Sequence, residues 1–246
     1  MKKLFFVFLF FCIVFVDLTF AQTVTPENLD LSGLIKPSGF SSSINLLVMM
    51  GTITLIPFFL ISTTAFLRIV IVLSMLRQAL ATQQSPPNSV IISLSLFLTI
   101  FVMTPTFNQV LETAVRPYQA GKIDHKTAIE SGIKPFRDFM LKHAREKDLA
   151  LFLEFSRVKY SKNINDVPIY VIIPSFILSE LKTAFQIGFL LFIPFVVVDL
   201  IISNILLSLG MFMLSPAMVS LPFKILLFVL VDGWNLIVKG LLLGFQ

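Results

Sequence analysis

The segment from Gly210 to Trp234 constrains the fold most, because it places prolines inside sequence that is as apolar as a membrane span. Pro216 and Pro222 each lack a backbone N–H and clash with the preceding helical turn, so a straight helix cannot run through the segment. We expect one helix to end near Leu214 and another to start near Pro222. Irregular backbone at membrane depth must be buried in protein or line a cavity. The segment therefore predicts a turn that faces a pore or a partner.

The composition places the chain among integral membrane proteins. Hydrophobic residues make up 56% of it and charged residues 13%, whereas about a quarter of the residues are charged in soluble domains. Residues 1–21 contain two lysines, an apolar run and a Thr-Phe-Ala ending, which is typical of a secretory signal peptide; a retained signal anchor is the alternative. Residues 22–43 are polar, and we interpret them as an exported N-terminal segment.

Two apolar regions, residues 44–111 and 167–246, each predict a long helical hairpin, because each exceeds the roughly 20 residues that one spanning helix needs. The tip of the first hairpin is expected at the consecutive prolines Pro86 and Pro87. Asn88 or Ser89 is suited to cap the helix that follows. The second hairpin contains the turn described above, which is rich in methionine.

Prolines inside the arms of these hairpins predict kinks. Pro57 interrupts the first arm, which we expect to be a kinked or two-part helix. Pro174 and Pro194 are expected to split the arriving arm of the second hairpin, which then returns from Pro222 to Leu243. The fold class is therefore all-α, with two long kinked helical hairpins.

Residues 112–166 differ from the hairpins, because they hold 19 of the chain's 33 charged side chains. Apolar residues recur there at roughly helical spacing, which predicts a small soluble helical insertion with a solvated face. The one cysteine of the chain, Cys12, lies in the predicted signal peptide, and both histidines, His125 and His143, lie in the insertion. We therefore expect no catalytic residues, no cofactor and no metal site.

The distribution of positive charge leaves the topology open. A signal peptide followed by four apolar arms would place the insertion on the periplasmic side. The insertion nevertheless carries 11 lysines and arginines, which normally favour the cytoplasmic side. Either the topology is inverted, or the arms do not lie in lipid like ordinary spanning helices.

Two long blocks carry a resemblance to a known family. Arg68 to Asn88 reads RIVIVLSMLRQALATQQSPPN, and Ser179 to Leu200 reads SELKTAFQIGFLLFIPFVVVDL, followed by GMFMLSP and SLPFKILLFVLVDGW. In order and spacing these blocks resemble the FliP family of flagellar type III export gates over roughly residues 44 to 243. The signal peptide and the long insertion favour the flagellar branch over virulence-type III secretion gates, which are the alternative.

The resemblance implies a pore-forming core subunit that conducts unfolded flagellar proteins across the bacterial inner membrane. Such a subunit belongs to the flagellar basal body and has periplasm-facing parts. Members of the family assemble with themselves, as a pentamer, and with partners of the FliQ and FliR type. The resemblance also implies a ring or helical spiral raised above the usual bilayer plane, which would account for the ambiguous topology signal.

The resemblance further implies that Met211, Phe212 and Met213 form a gasket around the closed pore. Phe212 interrupts the family's usual run of three methionines, and Ser215 with Pro216 stands where a double proline is common. Methionine suits a gasket because its unbranched, polarisable side chain repacks around irregular surfaces at low cost. The alternative is that these residues fill a core at the end of a helix.

Ionisable residues inside the apolar regions need partners, because each costs on the order of 2.5 to 3.5 kcal/mol on insertion scales. Glu180 and Lys182 lie two residues apart, on different faces of a helix, so we expect them to contact neighbouring subunits rather than each other. Asp199, Lys224 and Asp232 are expected to pair either within the second hairpin or across the ring.

Two further residues stand out for packing, and two other functions are possible for such a chain. Arg68 is expected to snorkel near an interface, and Trp234 is expected to be a packing anchor. An intramembrane aspartyl protease would use Asp199 and Asp232, but the sequence lacks a motif that would orient them. A proton-coupled carrier would suit buried acids and broken helices, yet the two halves share only the hairpin plan.

Overall fold

The computed structural model describes residues 50–51, 54–55, 57–156 and 167–245. The predicted signal peptide (1–21) and exported segment (22–43) lie outside the described residues, as do residues 157–166 of the insertion. The chain divides into two units, residues 1–55 and 56–246. The helices below all belong to the second unit.

Within the described residues every regular element is a helix, which confirms the all-α class. The elements are α1 (Pro57–Thr63), α2 (Phe66–Ala79), α3 (Asn88–Val110), a π-helical turn (Leu111–Val115), α4 (Arg116–Gln119), α5 (His125–His143), α6 (Glu146–Ser156), α7 (Ile169–Ser208), α8 (Pro216–Leu230) and α9 (Gly233–Leu243).

The first arm is a two-part helix, as the sequence predicted, but the break lies further along than Pro57. The axes of α1 and α2 differ by 81°, and the bend falls between Thr63 and Phe66. At this bend, the hydroxyls of Thr63 and Thr64 donate to the Phe59 and Leu60 carbonyls at 2.8 and 2.5 Å.

The tip of the first hairpin lies between α2 and α3, where Pro86 and Pro87 predicted it. Asn88 does not cap α3: it is the first helical residue, and Pro87 precedes it without a side-chain cap. The Asn88 side chain instead accepts a 2.6 Å hydrogen bond from Arg77 Nη1, which also donates to the Pro86 carbonyl at 3.1 Å. Arg77 thus fastens the tip to the end of α2.

The arriving arm of the second hairpin is one helix of 40 residues, α7, so the expected split at Pro174 and Pro194 is wrong. Prolines are tolerated inside apolar helices where neighbouring side chains and small local adjustments satisfy the freed carbonyls. At 1.5 Å per residue α7 is about 60 Å long, roughly twice the thickness of a hydrocarbon core.

The end of α7 also differs from the expectation, because the helix stops at Ser208 rather than near Leu214. Gly210 adopts a left-handed conformation with φ +73°. Its N–H donates to the Leu207 carbonyl at 3.0 Å, and the N–H of Met211 donates to the Leu206 carbonyl at 2.9 Å. These are the two hydrogen bonds of a Schellman motif, which ends a helix at a glycine.

The returning arm starts at Pro216 rather than at Pro222, which lies inside α8. Pro216 occupies the first turn of α8, where a missing N–H costs little. The arm bends again by 63° between α8 and α9. At this bend Asp232 has φ +50°, and a Cβ at Gly233 would lie 2.2 Å from the Phe228 ring. The Phe228 ring thus packs directly against Gly233, where a larger residue would force the ring to move.

The insertion shares a core with the start of α7. Helices α5 and α6 both pack on α7, and Phe136 of α5 meets Phe107 of α3 edge to face, with ring centroids 6.0 Å apart. Of the apolar residues in the insertion, Ile133 and Phe155 are exposed, whereas Met140 is fully buried. The shared core consists of Met140, Leu149, Val167, Val171, Ile172 and Phe176.

By length and composition, two helical stretches of the described chain can cross a membrane, namely Asn88–Gln119 and Ile169–Ser208. The bent pairs α1–α2 and α8–α9 bring the number to four if each pair is one span. These findings agree with an all-α membrane protein built from two hairpins.

The close contact between α7 and α2 generates a prediction. A Cβ at Gly188 of α7 would lie 2.2 Å from Met75 Sδ and 3.2 Å from Met75 Cβ of α2. We expect Gly188→Ala to lower the free energy of unfolding by roughly 1–3 kcal/mol through overpacking. Thermal unfolding of the detergent-extracted protein measures this loss.

Two further variants control this prediction. Combining Gly188→Ala with Met75→Ala should cost less than the sum of the single changes, because the shortened side chain makes room for the new methyl group. Gly240→Ala has nothing within 4 Å of the added Cβ and should unfold like the unmodified protein. Unchanged thermal unfolding of Gly188→Ala would contradict the close crossing.

Candidate functional site

The turn between α7 and α8 exposes its large apolar side chains. Met213 is 100% exposed, Phe212 76% and Met211 47%. The Schellman motif at Gly210 and the first turn of α8 at Pro216 hold the two ends of this turn. The structure therefore places the predicted gasket residues at the tip of the second hairpin, outside its core.

An ion pair lies along the hairpin that carries this turn. Lys224 Nζ of α8 is 2.6 Å from Asp199 Oδ2 of α7, and Ser220 Oγ donates to Asp199 Oδ1 at 2.5 Å. Lys224 is buried, and its Nζ also approaches the Ala79 carbonyl at the end of α2, at 3.4 Å. A cation is favourable at the C-terminal end of a helix. Of the two alternatives left open by the sequence, the chain shows pairing within the second hairpin.

A second ion pair joins the two hairpins and corrects the expectation for Glu180. Arg68 Nε and Nη2 of α2 donate to Glu180 Oε2 and Oε1 of α7 at 2.7 and 2.5 Å. The exposed fractions of the two side chains are only 5% and 0%. Glu180 is thus paired inside the chain rather than with a neighbouring subunit. Arg68 is buried and does not snorkel.

The Arg68 guanidinium is enclosed further by the residues that follow α9. Nη1 donates to the Gly244 carbonyl at 2.9 Å, and the guanidinium carbon lies 3.9 Å from the centroid of the Phe245 ring. The Phe245 ring in turn lies 6.3 Å from the Phe139 ring and 5.3 Å from the His143 ring, centroid to centroid. Arg68 therefore connects both hairpins with α5 of the insertion.

The environment of His143 disfavours its charged form. Burial lowers the pKa of His143 to about 4, and the positive charges of Arg68 and Lys142 act in the same direction. His143 is therefore neutral at physiological pH and packs as an aromatic ring against Phe139 and Phe245.

Lys182 also has its partner inside the chain, in the insertion rather than in another subunit. Lys182 Nζ forms an ion pair with the Asp148 carboxylate of α6, and Ser179 Oγ lies 2.9 Å from Asp148 Oδ2. Burial raises the pKa of Asp148, but the hydrogen bonds from Lys182 and Ser179 outweigh it, so the pKa is below its usual value. The pair ties α6 to α7.

The remaining predicted residues lie near the bend of the returning arm. Asp232 is exposed, and no side-chain partner for it is present in the described part of the chain. Trp234 meets Phe228 edge to face at 5.4 Å and, with Pro86 and Ile91, lines an apolar pocket against the first hairpin. Trp234 thus contacts both hairpins, although it is 43% exposed.

The arrangement offers no catalytic geometry among the described residues. Asp199 is engaged by Lys224 and Ser220 rather than sharing a proton with a second carboxylate. Within the described ranges no three histidine, cysteine, aspartate or glutamate side chains form a group that could hold a metal ion. What the site combines is an exposed apolar turn and a scaffold of internal ion pairs.

Sequence reasoning missed the connection from Arg68 to Glu180 and to the residues after α9. The two members of the ion pair are 112 positions apart, and no periodic pattern relates them. The available signal was chemical: a buried arginine in an apolar helix requires a carboxylate. Several carboxylates met that requirement, so the sequence did not single one out.

The buried pair between Arg68 and Glu180 generates a prediction. We expect Arg68→Met or Glu180→Met alone to lower the free energy of unfolding by about 3–5 kcal/mol, because each leaves an uncompensated buried charge. The double variant should lose much less than the sum, since it leaves neither charge. Thermal unfolding in detergent measures all three.

The exposed pair of Glu112 and Arg116 supplies the control for this prediction. Its atoms are 3.8 Å apart and its side chains are 67% and 72% exposed. Glu112→Gln should therefore change stability little, because solvent screens such pairs. If the losses from Arg68→Met and Glu180→Met simply add, the two side chains do not act as a pair.

Comparison with known proteins places the chain in a family. The model of the FliP family matches residues 49–241. The flagellar biosynthetic protein FliP of Bacillus subtilis is 50% identical over 219 residues, which cover 89% of this chain and 99% of the relative. The FliP protein of Borreliella burgdorferi is 46% identical over an alignment of 256 residues, which covers all of both chains. That of Aquifex aeolicus is 47% identical over 206 residues, which cover 83% of this chain and 86% of the relative. On this evidence the chain belongs to the FliP family.

Proposed function

We propose that this chain is a pore-forming core subunit of the flagellar type III export gate and conducts unfolded flagellar proteins across the bacterial inner membrane. The family membership and the flagellar names of the relatives support the flagellar assignment over a virulence-type gate. The proposal assigns the chain no catalytic activity. The observation that carries it is the exposed Met211–Met213 turn at the tip of a hairpin braced by ion pairs.

The turn has the properties of a gasket. Met211, Phe212 and Met213 are apolar and project from the hairpin tip, so they are available to pack against other copies or a passing chain. Methionine adapts to surfaces of varied shape. A ring of such side chains excludes hydrated ions because it offers them no polar ligands. Gly210 and Pro216 hold the two ends of the turn.

The outer faces of the long helices support assembly into a ring or spiral. Helix α7 is about 60 Å long and cannot lie wholly within a hydrocarbon core of about 30 Å unless it is strongly tilted. Part of its apolar surface is therefore covered by other subunits in our proposal. The large exposed apolar residues of α7 include Phe185, Phe189, Leu190, Ile193, Leu200 and Ile201.

The proposed partners are further copies of this chain, as a pentamer, together with FliQ- and FliR-type subunits and export substrates in transit. The proposed location is the inner membrane within the flagellar basal body, with the insertion facing the periplasm. The ion pairs within the chain support this arrangement, because they leave the outer faces of α7 and α8 largely apolar for contact with lipid or subunits.

The gasket generates a prediction. We expect the double variant Met211→Ala, Met213→Ala to increase ion leakage across the inner membrane without abolishing assembly, because shorter side chains leave a gap in the seal. Conductance measurements in cells that carry the variant check this. Leu236→Ala, which truncates an exposed apolar side chain on α9, is the control and should leave the leakage unchanged. If the double variant does not leak, the gasket proposal fails.

The assembly generates a second prediction. The complex extracted in mild detergent should have a mass of several copies of this chain together with its partners. Light scattering or native mass spectrometry measures that mass. A monomer that by itself moves a small solute against a gradient would instead support the proton-coupled carrier and contradict the conduit.

A further inference from the structure

The residues after α9 close over a buried charge. Phe245 is 8% exposed, and its ring covers one face of the Arg68 guanidinium. Glu180 occupies two donor positions of that guanidinium, and the Gly244 carbonyl occupies a third. Removing the Phe245 ring would therefore open the ion pair that joins the hairpins.

His143 completes this cover from the side of the insertion. Its ring lies 5.3 Å from the Phe245 ring at 72° and 4.7 Å from the Phe139 ring. We propose that Arg68, His143 and Phe245 form a pH-sensitive latch that holds the end of α9 against the first hairpin and the insertion, and that protonation of His143 releases it.

The physical reason is electrostatic: the cluster stabilises the charge of Arg68 but not a second positive charge beside it. The neutral imidazole packs as an aromatic ring against Phe245, whose face already holds the Arg68 guanidinium. A protonated His143 would bring a second positive charge into the same half-buried cluster, where burial and repulsion both oppose it. Undocking of Phe245 lets water reach the imidazolium.

The charged groups around His143 do not compensate that second charge. Glu180 on α7 is already bound at both oxygens by Arg68, and Asp148 on α6 is bound by Lys182 of α7. Nearby cations are Lys142 on α5, Arg145 between α5 and α6, and the exposed Lys239 on α9. The remaining carboxylates of α5 and α6, namely Glu130, Asp138, Glu146 and Glu154, are exposed, so solvent screens them. Besides burial, the charges that act on the pKa of His143 are those of Arg68 and Lys142, and both lower it.

The direction of the pH effect follows from the lowered pKa of His143. A base whose pKa is lower in the latched state than after release takes up a proton on opening, so the latch weakens as the pH falls. With the latched pKa at about 4 and the released value at the ordinary 6.5, the ratio of closed to open latch falls by up to about 30-fold between about pH 7.5 and about pH 5.

The chain contains two histidines, which gives the test a matched control. His125 begins α5, is exposed, and stacks edge to face on Tyr118 at 6.1 Å, away from the latch. His143→Phe keeps an aromatic ring beside Phe139 and Phe245 but cannot be protonated. His125→Phe is the matched control, because it removes the imidazole that lies away from the latch.

The experiment uses a cysteine in α9 as a reporter of undocking. Leu241 is 3% exposed and lies one helical turn before Phe245, whereas Leu243 is 55% exposed. Leu241→Cys and Leu243→Cys are made separately in a Cys12→Ser background of the full chain in detergent. The ratio of their maleimide labelling rates at one pH cancels the pH dependence of thiol reactivity.

We expect this ratio to rise several-fold from about pH 7.5 to about pH 5, by up to the 30-fold calculated above. The rise should persist in His125→Phe and disappear in His143→Phe. Phe245→Ala should raise the ratio at both pH values, and Phe245→Leu should raise it less. A ratio that does not change with pH, or a rise that survives His143→Phe, would overturn the proposal.

Discussion

The buried ion pair between Arg68 and Glu180 is the contact on which the rest of the structure depends. A charge without a partner is costly in an apolar interior, so α2 and α7 can pack only in a register that brings the two side chains together. The same register places Met75 against Gly188. Met75 lies seven residues after Arg68 on α2, and Gly188 lies eight residues after Glu180 on α7. The two helices therefore run in the same direction, although they belong to different hairpins.

The internal ion pairs explain how one chain can be apolar outside and still contain charges. Each ion pair joins different parts of the chain. One joins the two hairpins, one joins the insertion to the second hairpin, and one joins the two arms of the second hairpin. Because the charges are paired within the chain, the outer faces of α7 and α8 remain largely apolar. The side chains of the turn between these helices are exposed and do not contribute to the core. The pairs are Arg68 with Glu180, Lys182 with Asp148, and Lys224 with Asp199.

The position of the turns was predictable to different degrees. Consecutive prolines end a helix whatever surrounds them, so the tip at Pro86 and Pro87 was readable from the sequence. The end of α7 differs from the expectation because Gly210, whose left-handed conformation ends the helix, acts before Pro216 is reached. Pro174 and Pro194 did not break α7, because a long helix packed in an apolar setting tolerates a missing hydrogen bond.

The sequence by itself determined the helical class, the apolar arms, the charged insertion and a methionine-rich turn inside the second apolar region, because composition, helix-breaking residues and apolar length act locally along the chain. Only the tertiary structure decided that Arg68 pairs with Glu180 and that Phe245 covers it. The reason is physical. Several arginines, lysines and carboxylates met the same need for a partner, and the choice among them depends on which helix faces meet across more than a hundred residues of chain.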